Sequence, residues 1–149
     1  MAGQGSSVVV DTAPLDGALA RLAAVLSHPD GIMDAIGRYL VGSAHRRFER
    51  ERAPDGTPWL KSARAIAEGG RTLTNTGQLR NSIAHTVTDG GRAVEVGSGV
   101  VYAAIHQFGG HAGRGRRARI PARPYLGVDE HDRDAITHIV SRALQGARP

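Results

Sequence analysis

Two prolines, Pro121 and Pro124, punctuate the run Ile120-Pro121-Ala122-Arg123-Pro124-Tyr125-Leu126, and they restrict the architecture more than any other feature of the chain. Proline fixes φ and cannot donate to a β-ladder, so this segment is extended yet barred from the middle of a sheet. It closes a longer stretch, Tyr102 to Gly127, that reads YAAIHQFGGHAGRGRRARIPARPYLG. That stretch starts as an apolar run, breaks at Gly109-Gly110, and passes through the arginine-rich, glycine-loosened residues 111–119. A mobile cationic loop is therefore expected between two stiff anchors, and the rest of the chain has to hold them.

The frame can be followed along the sequence. Residues 1–14 read as a flexible segment, with Val8-Val9-Val10 a candidate short edge strand. Leu15, Leu19, Leu22, Ala23 and Leu26 recur at helical spacing and predict a first helix. Ser27-His28-Pro29-Asp30-Gly31 interrupts it, because proline biases the residue before it away from helical geometry. Asp30 then caps a second helix reaching about Arg52, with Ile32, Ile36, Leu40, Ala44 and Phe48 on its buried side. The charged end of this helix, His45 to Arg52, is expected on a solvated face. Pro54-Asp55-Gly56-Thr57-Pro58 reverses the chain and returns Trp59 onto the helix. Residues 60–72 could start a helical turn but end just after Gly69-Gly70, so they read as a mobile surface segment.

Asn75 or Thr76 is expected to cap a short helix that turns Leu79 and Ile83 inward. Ser82 to Thr88 and Ala93 to Gly97 flank Asp89-Gly90-Gly91, the signature of a hairpin. Val94 and Val96 alternate with Ala93 and Glu95, giving one buried and one wet face. Val100 to Phe108 reads as a further strand, with Tyr102, Ile105 and Phe108 in the core or at its rim. Asp129 caps a last helix with Glu130 and Asp132 in its first turn, Ile136, Ile139, Val140, Ala143 and Leu144 as its stripe, and Gly146 at its end. The fold class is α+β: N-terminal helices and a C-terminal helix on a small antiparallel β-sheet, with a long arginine-rich loop. One domain spans 15–146, followed by a short tail at 147–149.

Composition narrows the function. Only 4% of residues are aromatic, so the core rests on Leu, Ile, Val and Ala, with Trp59, Phe48, Phe108 and the tyrosines as scarce large pieces. The absence of cysteine removes disulfides, thiolate zinc sites and thiol catalysis. The net charge of +5 comes from 19 Lys and Arg against 14 Asp and Glu, nearly all of the positive charge being arginine. No apolar run approaches the roughly 20 residues of a membrane span, and the N-terminal residues lack the pattern of a secretory signal.

No enzyme signature emerges. His131 and His138 are two turns apart, too far for the adjacent-turn spacing of a helical metal site, and His106 and His111 have no carboxylate at a fixed spacing. The acidic group Asp129, Glu130, Asp132 and Asp134 is explained by a helix start. No GxSxG elbow or phosphate-binding GK[ST] loop occurs. Catalytic residues, cofactor and metal ligands are all read as none. Arg114, Arg116, Arg117 and Arg119 leave three readings open: a solvated loop, a contact with nucleic-acid phosphates, or a docking arm for another protein subunit. No aromatic residues interleave with them to stack bases.

Several segments occur in a telling order: Phe48 with Pro54-Asp55-Gly56-Thr57-Pro58-Trp59, Leu73 to Ile83, Val96-Gly97-Ser98, Tyr102 to Gly110, and Ile120 to Gly127. Over roughly residues 30–145 this ordered set resembles the bacteriophage virion morphogenesis family, which includes tail completion proteins and a Mu-like phage morphogenesis protein. The resemblance implies a non-enzymatic structural protein of the virion, made in the host cytoplasm and acting at the head–tail junction. It implies a homo-oligomeric ring, commonly hexameric, that caps the tail tube and joins it to the neck or connector. Trp59, Gly77, His106, Phe108, Pro121, Arg123 and Pro124 become fold and assembly positions under it. Ring formation would draw on open edges near Val8–Val10 and Ile120–Leu126, and the arginine loop with Arg123 would dock a neighbouring subunit or, alternatively, DNA in the channel. Residues 110–119, with their extra glycine and arginine, depart from the family pattern.

Overall fold

The computed structural model describes residues 13–146. The expected strand at Val8–Val10 and the tail at 147–149 lie outside the described residues. Helix α1 covers Ala13–Ser27 and α2 covers Asp30–Arg50, with Pro29 at the corner between them. Pro29 itself occupies the cap position of α2, and no side chain caps it. Asp30 is the first helical residue, where its charge still complements the helix dipole. The expectation of an Asp30 cap is corrected to that extent.

Strands β1 (Ala84–Thr88) and β2 (Ala93–Gly97) pair antiparallel around a 3-10 turn at Asp89–Gly91. The register opposes His85 to Val96 and Val87 to Val94, so these four share one face. That face lies on α2 at close range. A Cβ added at Gly37 would meet the His85 ring at 2.3 Å and Val94 Cγ2 at 2.8 Å, so glycine sets how near helix and hairpin approach. His85 Nε2 reaches Asp34 of the same helix at 2.7 Å. The fold is α+β as expected, with its antiparallel strands divided between this hairpin and a second one described below.

The core gathers Ala44 and Phe48 of α2 with Trp59, Leu79, Ile83, Ala103 and Tyr125. Phe48 is 1% exposed and meets Trp59 edge-on at 5.4 Å and Tyr125 at 5.2 Å. Burying such a ring contributes about 1.5–3 kcal/mol, and each aromatic pair about 0.5–1.5 kcal/mol beyond that. Trp59 arrives where the turn sequence places it, through Ala53 N to Thr57 O (2.9 Å) and Trp59 N to Glu51 O (2.8 Å). Leu79 and Ile83 point inward from α4 (Gln78–Asn81), which starts at Gly77 in the left-handed region (φ 75°), while Thr76 Oγ1 accepts from Gln78 N at 3.3 Å.

Within residues 60–72 the helical turn that the sequence allows is a helix, α3 (Ala63–Glu68), capped by Ser62, whose Oγ accepts from Ala65 N. Thr72 is fully buried because Glu51 Oε1 takes its amide at 2.6 Å. The run Val100–Phe108 is not a strand; Ala103–Phe108 forms a short helix, α5. A brief apolar run carries no period that separates strand from helix, and here the residues around it decide. Ala103 turns inward, while Phe108 is 78% and Tyr102 36% exposed, so Phe108 leaves the core that the sequence assigned to it.

Candidate interaction site

The segment Ile120–Gly127 is extended, yet it has no strand neighbour of its own beyond Ile120. Its polar backbone is met by side chains. Gln107 Oε1 accepts the amides of both Tyr125 and Leu126 at 3.0 Å, and Gln107 Nε2 donates to Leu126 O at 3.0 Å. Trp59 Nε1 donates to Pro124 O at 2.9 Å, and Arg123 N donates to His106 O at 2.7 Å. Tyr125 Oη reaches back to Ala103 O at 2.9 Å. With the Pro121 and Pro124 nitrogens unable to donate, little edge remains to pair with another protomer. The expected open edge at Ile120–Leu126 is therefore corrected: these groups are already engaged within the subunit.

A second lock holds the far end of this segment. Helix α6 (Glu130–Gly146) begins with a reciprocal cap: Asp129 Oδ1 accepts from Asp132 N at 2.8 Å, and Asp132 Oδ2 accepts from Asp129 N at 3.1 Å. Asp132 is fully buried and also takes Ser43 Oγ (2.6 Å) and the Arg47 guanidinium of α2. Arg47 extends the network to Asp129, Tyr125 O (3.2 Å) and Gly127 O (3.0 Å). Burial pushes the Asp132 carboxyl up, but the Ser43 hydroxyl, the Asp129 backbone and Arg47 together hold it below its ordinary range. Arg47, expected on a solvated face, is only 6% exposed. The signal for it was present: Ser43, Ala44, Arg47 and Phe48 follow helical three- and four-residue steps on one side.

Ahead of this anchored segment stands the arginine-rich element. Strands β3 (Gly110–Ala112) and β4 (Ala118–Ile120) pair with Gly110 opposite Ile120, and Arg114–Arg116 forms a 3-10 turn at the tip. The irregular loop expected from the glycines is thus a short hairpin. It starts at Gly109 (φ 74°), where an added Cβ would lie 2.8 Å from Ala122 N and 3.0 Å from Ile120 O. Only glycine lets the backbone of the two anchors pass this closely. Arg114, Arg116, Arg117 and Arg119 are all exposed, and none takes part in the ion pairs of the described residues.

Beside the hairpin lies an open cleft of about 790 Å³. Arg119, Pro121, Arg123, His106, Tyr102 and Lys61 are among the residues that line it. Arg123 is 6% exposed, with its Nε donating to Leu60 O at 2.7 Å. His106 Nδ1 is buried without a hydrogen-bond partner. Burial, with the Arg123 charge beside it, lowers the His106 pKa. The expected site residues therefore separate by role. Trp59, Gly77 and Pro124 belong to the frame, His106, Pro121, Arg119 and Arg123 meet in the cleft, and Arg114, Arg116, Arg117 and Phe108 face outward.

Among the described residues no group of three or more His, Asp and Glu side chains is placed to hold a metal. No helix among them is long and apolar enough to cross a membrane.

Over residues 10–145 the chain matches the sequence model of the phage virion morphogenesis family. It is 36% identical over 128 residues to "Mu-like prophage FluMu G protein 2" of Haemophilus influenzae, covering 86% of this chain and 87% of that protein. It is 35% identical over 154 residues to "Putative capsid assembly protein G" of Escherichia phage Mu, covering 93% and 96%. No solved structure matches it.

Proposed function

This chain belongs to the phage virion morphogenesis family, and from that premise we propose that it is a non-enzymatic ring subunit at the head–tail junction. In this reading it is a tail completion (tail terminator or neck) protein. Copies assemble in the host cytoplasm into a homo-oligomeric ring, taken to be a hexamer, that caps the tail tube and joins it to the head connector. The observation that carries the reading is α1. Its chief neighbour is α6, and Leu19 and Leu26 remain 54% and 69% exposed on it. Leucines of a regular helix left this open fit a surface that another subunit covers.

The test is direct. The purified full chain should sediment as a closed oligomer and give rings in negative stain. Phage lacking it should accumulate heads and tails that do not join. A monomer at every concentration, together with complete particles in its absence, would remove the proposal.

A second reading has an observation of its own, the four exposed and unpaired hairpin arginines. In it they bind DNA phosphates, and changing Arg114, Arg116, Arg117 and Arg119 to Ala should flatten the salt dependence of duplex binding. An unchanged slope would exclude it.

A further inference from the structure

Arg123 is an anomaly in this fold. Buried charges are normally paired, because removing an ion from water is compensated only by a partner. Arg47, equally buried, follows that rule through Asp132 and Asp129. Arg123 does not. Its Nε bonds Leu60 O, but no carboxylate of the described residues lies in ion-pair range of its guanidinium. Burial correspondingly depresses its pKa. The cleft it faces contains no Asp or Glu, while Lys61 and Arg119 stand exposed at its rim. Leu60, Leu73 and Ile120 give it apolar walls. Such a site suits a single carboxylate carried on a side chain beside an apolar residue. Duplex phosphates are met more readily by the exposed hairpin arginines.

The same chain presents that chemistry elsewhere. At the start of α6, Val128 is 45% exposed and the Glu130 side chain 85% exposed, beside Asp129. Glu130 is held only by an exposed pair with Arg133, of a kind that contributes about 0–1 kcal/mol and is readily given up. The residues around this corner, Pro54, Asp55 and Val128 to Arg133, share none with the cleft. Two distinct and complementary patches are what a head-to-tail contact between identical subunits requires.

We propose that the Arg123 cleft of one subunit receives the Val128–Glu130 corner of the next, with the Glu130 carboxylate supplying the counter-ion that Arg123 lacks. This rests on the ring reading above and gives it a specific contact. Electrostatic complementarity of this kind fixes partner and register.

The experiment uses the whole 149-residue chain, which contains no cysteine. Sedimentation velocity measures self-association of the wild type and of Glu130→Lys and Arg119→Glu, both at exposed positions that leave the core intact. Each single variant should weaken association about tenfold or more. In parallel, Lys61→Cys combined with Val128→Cys, which leaves Glu130 in place, should give a disulfide-linked ladder on mild oxidation, whereas each cysteine alone should give none. A wild-type oligomer that is indifferent to Glu130→Lys and forms no ladder overturns this contact while leaving the ring reading intact. A wild-type monomer overturns both. Dimers from a single cysteine would show a symmetric contact and also overturn it, as would loss of duplex DNA binding in Arg119→Glu with association unchanged.

Discussion

Replacing Arg47 by Met should be among the most damaging single changes in this protein. Methionine keeps most of the apolar stem, so the lost packing is small and the loss is mainly polar. The Arg47 side chain is 7% exposed, and its guanidinium serves Asp132, Asp129 and the carbonyls of Tyr125 and Gly127 together. Without it Asp132, its side chain 1% exposed, retains only Ser43 Oγ at 2.6 Å and the Asp129 amide at 3.1 Å. Breaking a buried pair from one side costs about 3–5 kcal/mol, a large share of the roughly 5–15 kcal/mol that holds a domain of this size. At a urea m-value of about 2 kcal/mol/M the midpoint should fall by roughly 1.5–2.5 M. Adding Asp132→Asn leaves Oδ1 to accept the Asp129 amide and lets Nδ2 donate to Ser43 Oγ while removing the stranded charge, so the double variant should be more stable than Arg47→Met alone. Equilibrium urea unfolding of the four proteins gives the cycle. A loss below about 1 kcal/mol for Arg47→Met, or simple additivity in the double variant, would refute the account of this network.

Acid should weaken the fold in two stages. His106 and Asp132 both have folded pKa values below their unfolded ones, so the unfolded chain binds more protons and stability falls as pH falls. The His106 contribution is complete above about pH 6.5 and is lost below it, and that of Asp132 is lost below about pH 3.9. Urea midpoints across pH should show both steps, with the upper one missing in His106→Asn; a profile unchanged by that substitution would contradict the assignment. Gly109→Ala should cost about 2–4 kcal/mol, combining the left-handed φ with the backbone clash. Gly69→Ala, with a similar φ of 70° but open space around it, should cost about 1 kcal/mol. Thermal melts compare the two, and hydrogen exchange at the Arg123 amide should quicken only in the first.

Much of the frame was legible in the sequence because local signals agreed with the tertiary outcome. The Asp89-Gly90-Gly91 turn, the apolar spacing of α2, the Asp129 cap and the return of Trp59 onto Phe48 each carry their own physical instruction. Helix α5 was not legible, because a six-residue element lacks a period and is settled by what Tyr125 and Gln107 ask of it. The pairing of β3 with β4 was hidden for a related reason. Glycine and arginine carry little strand preference, and the register there follows from the closeness of the anchors at Gly109. Arg47 and Arg123 show the limit most plainly. Arg47 stands in a charged run and Arg123 between two prolines, and only the third dimension shows one as a buried tie and the other as a buried cation facing a cleft.

The Gln107 side chain has a consequence for how this protein can vary. One amide group does the work of an adjoining strand for Tyr125 and Leu126, so the anchor keeps its place without help from the hairpin in front of it. Length changes at the hairpin tip, around Gly115, are thereby uncoupled from the frame. A lineage can lengthen, shorten or recharge that tip to suit a new neighbour while the body stays the same. An experimenter can use the same freedom to graft a peptide there and display it.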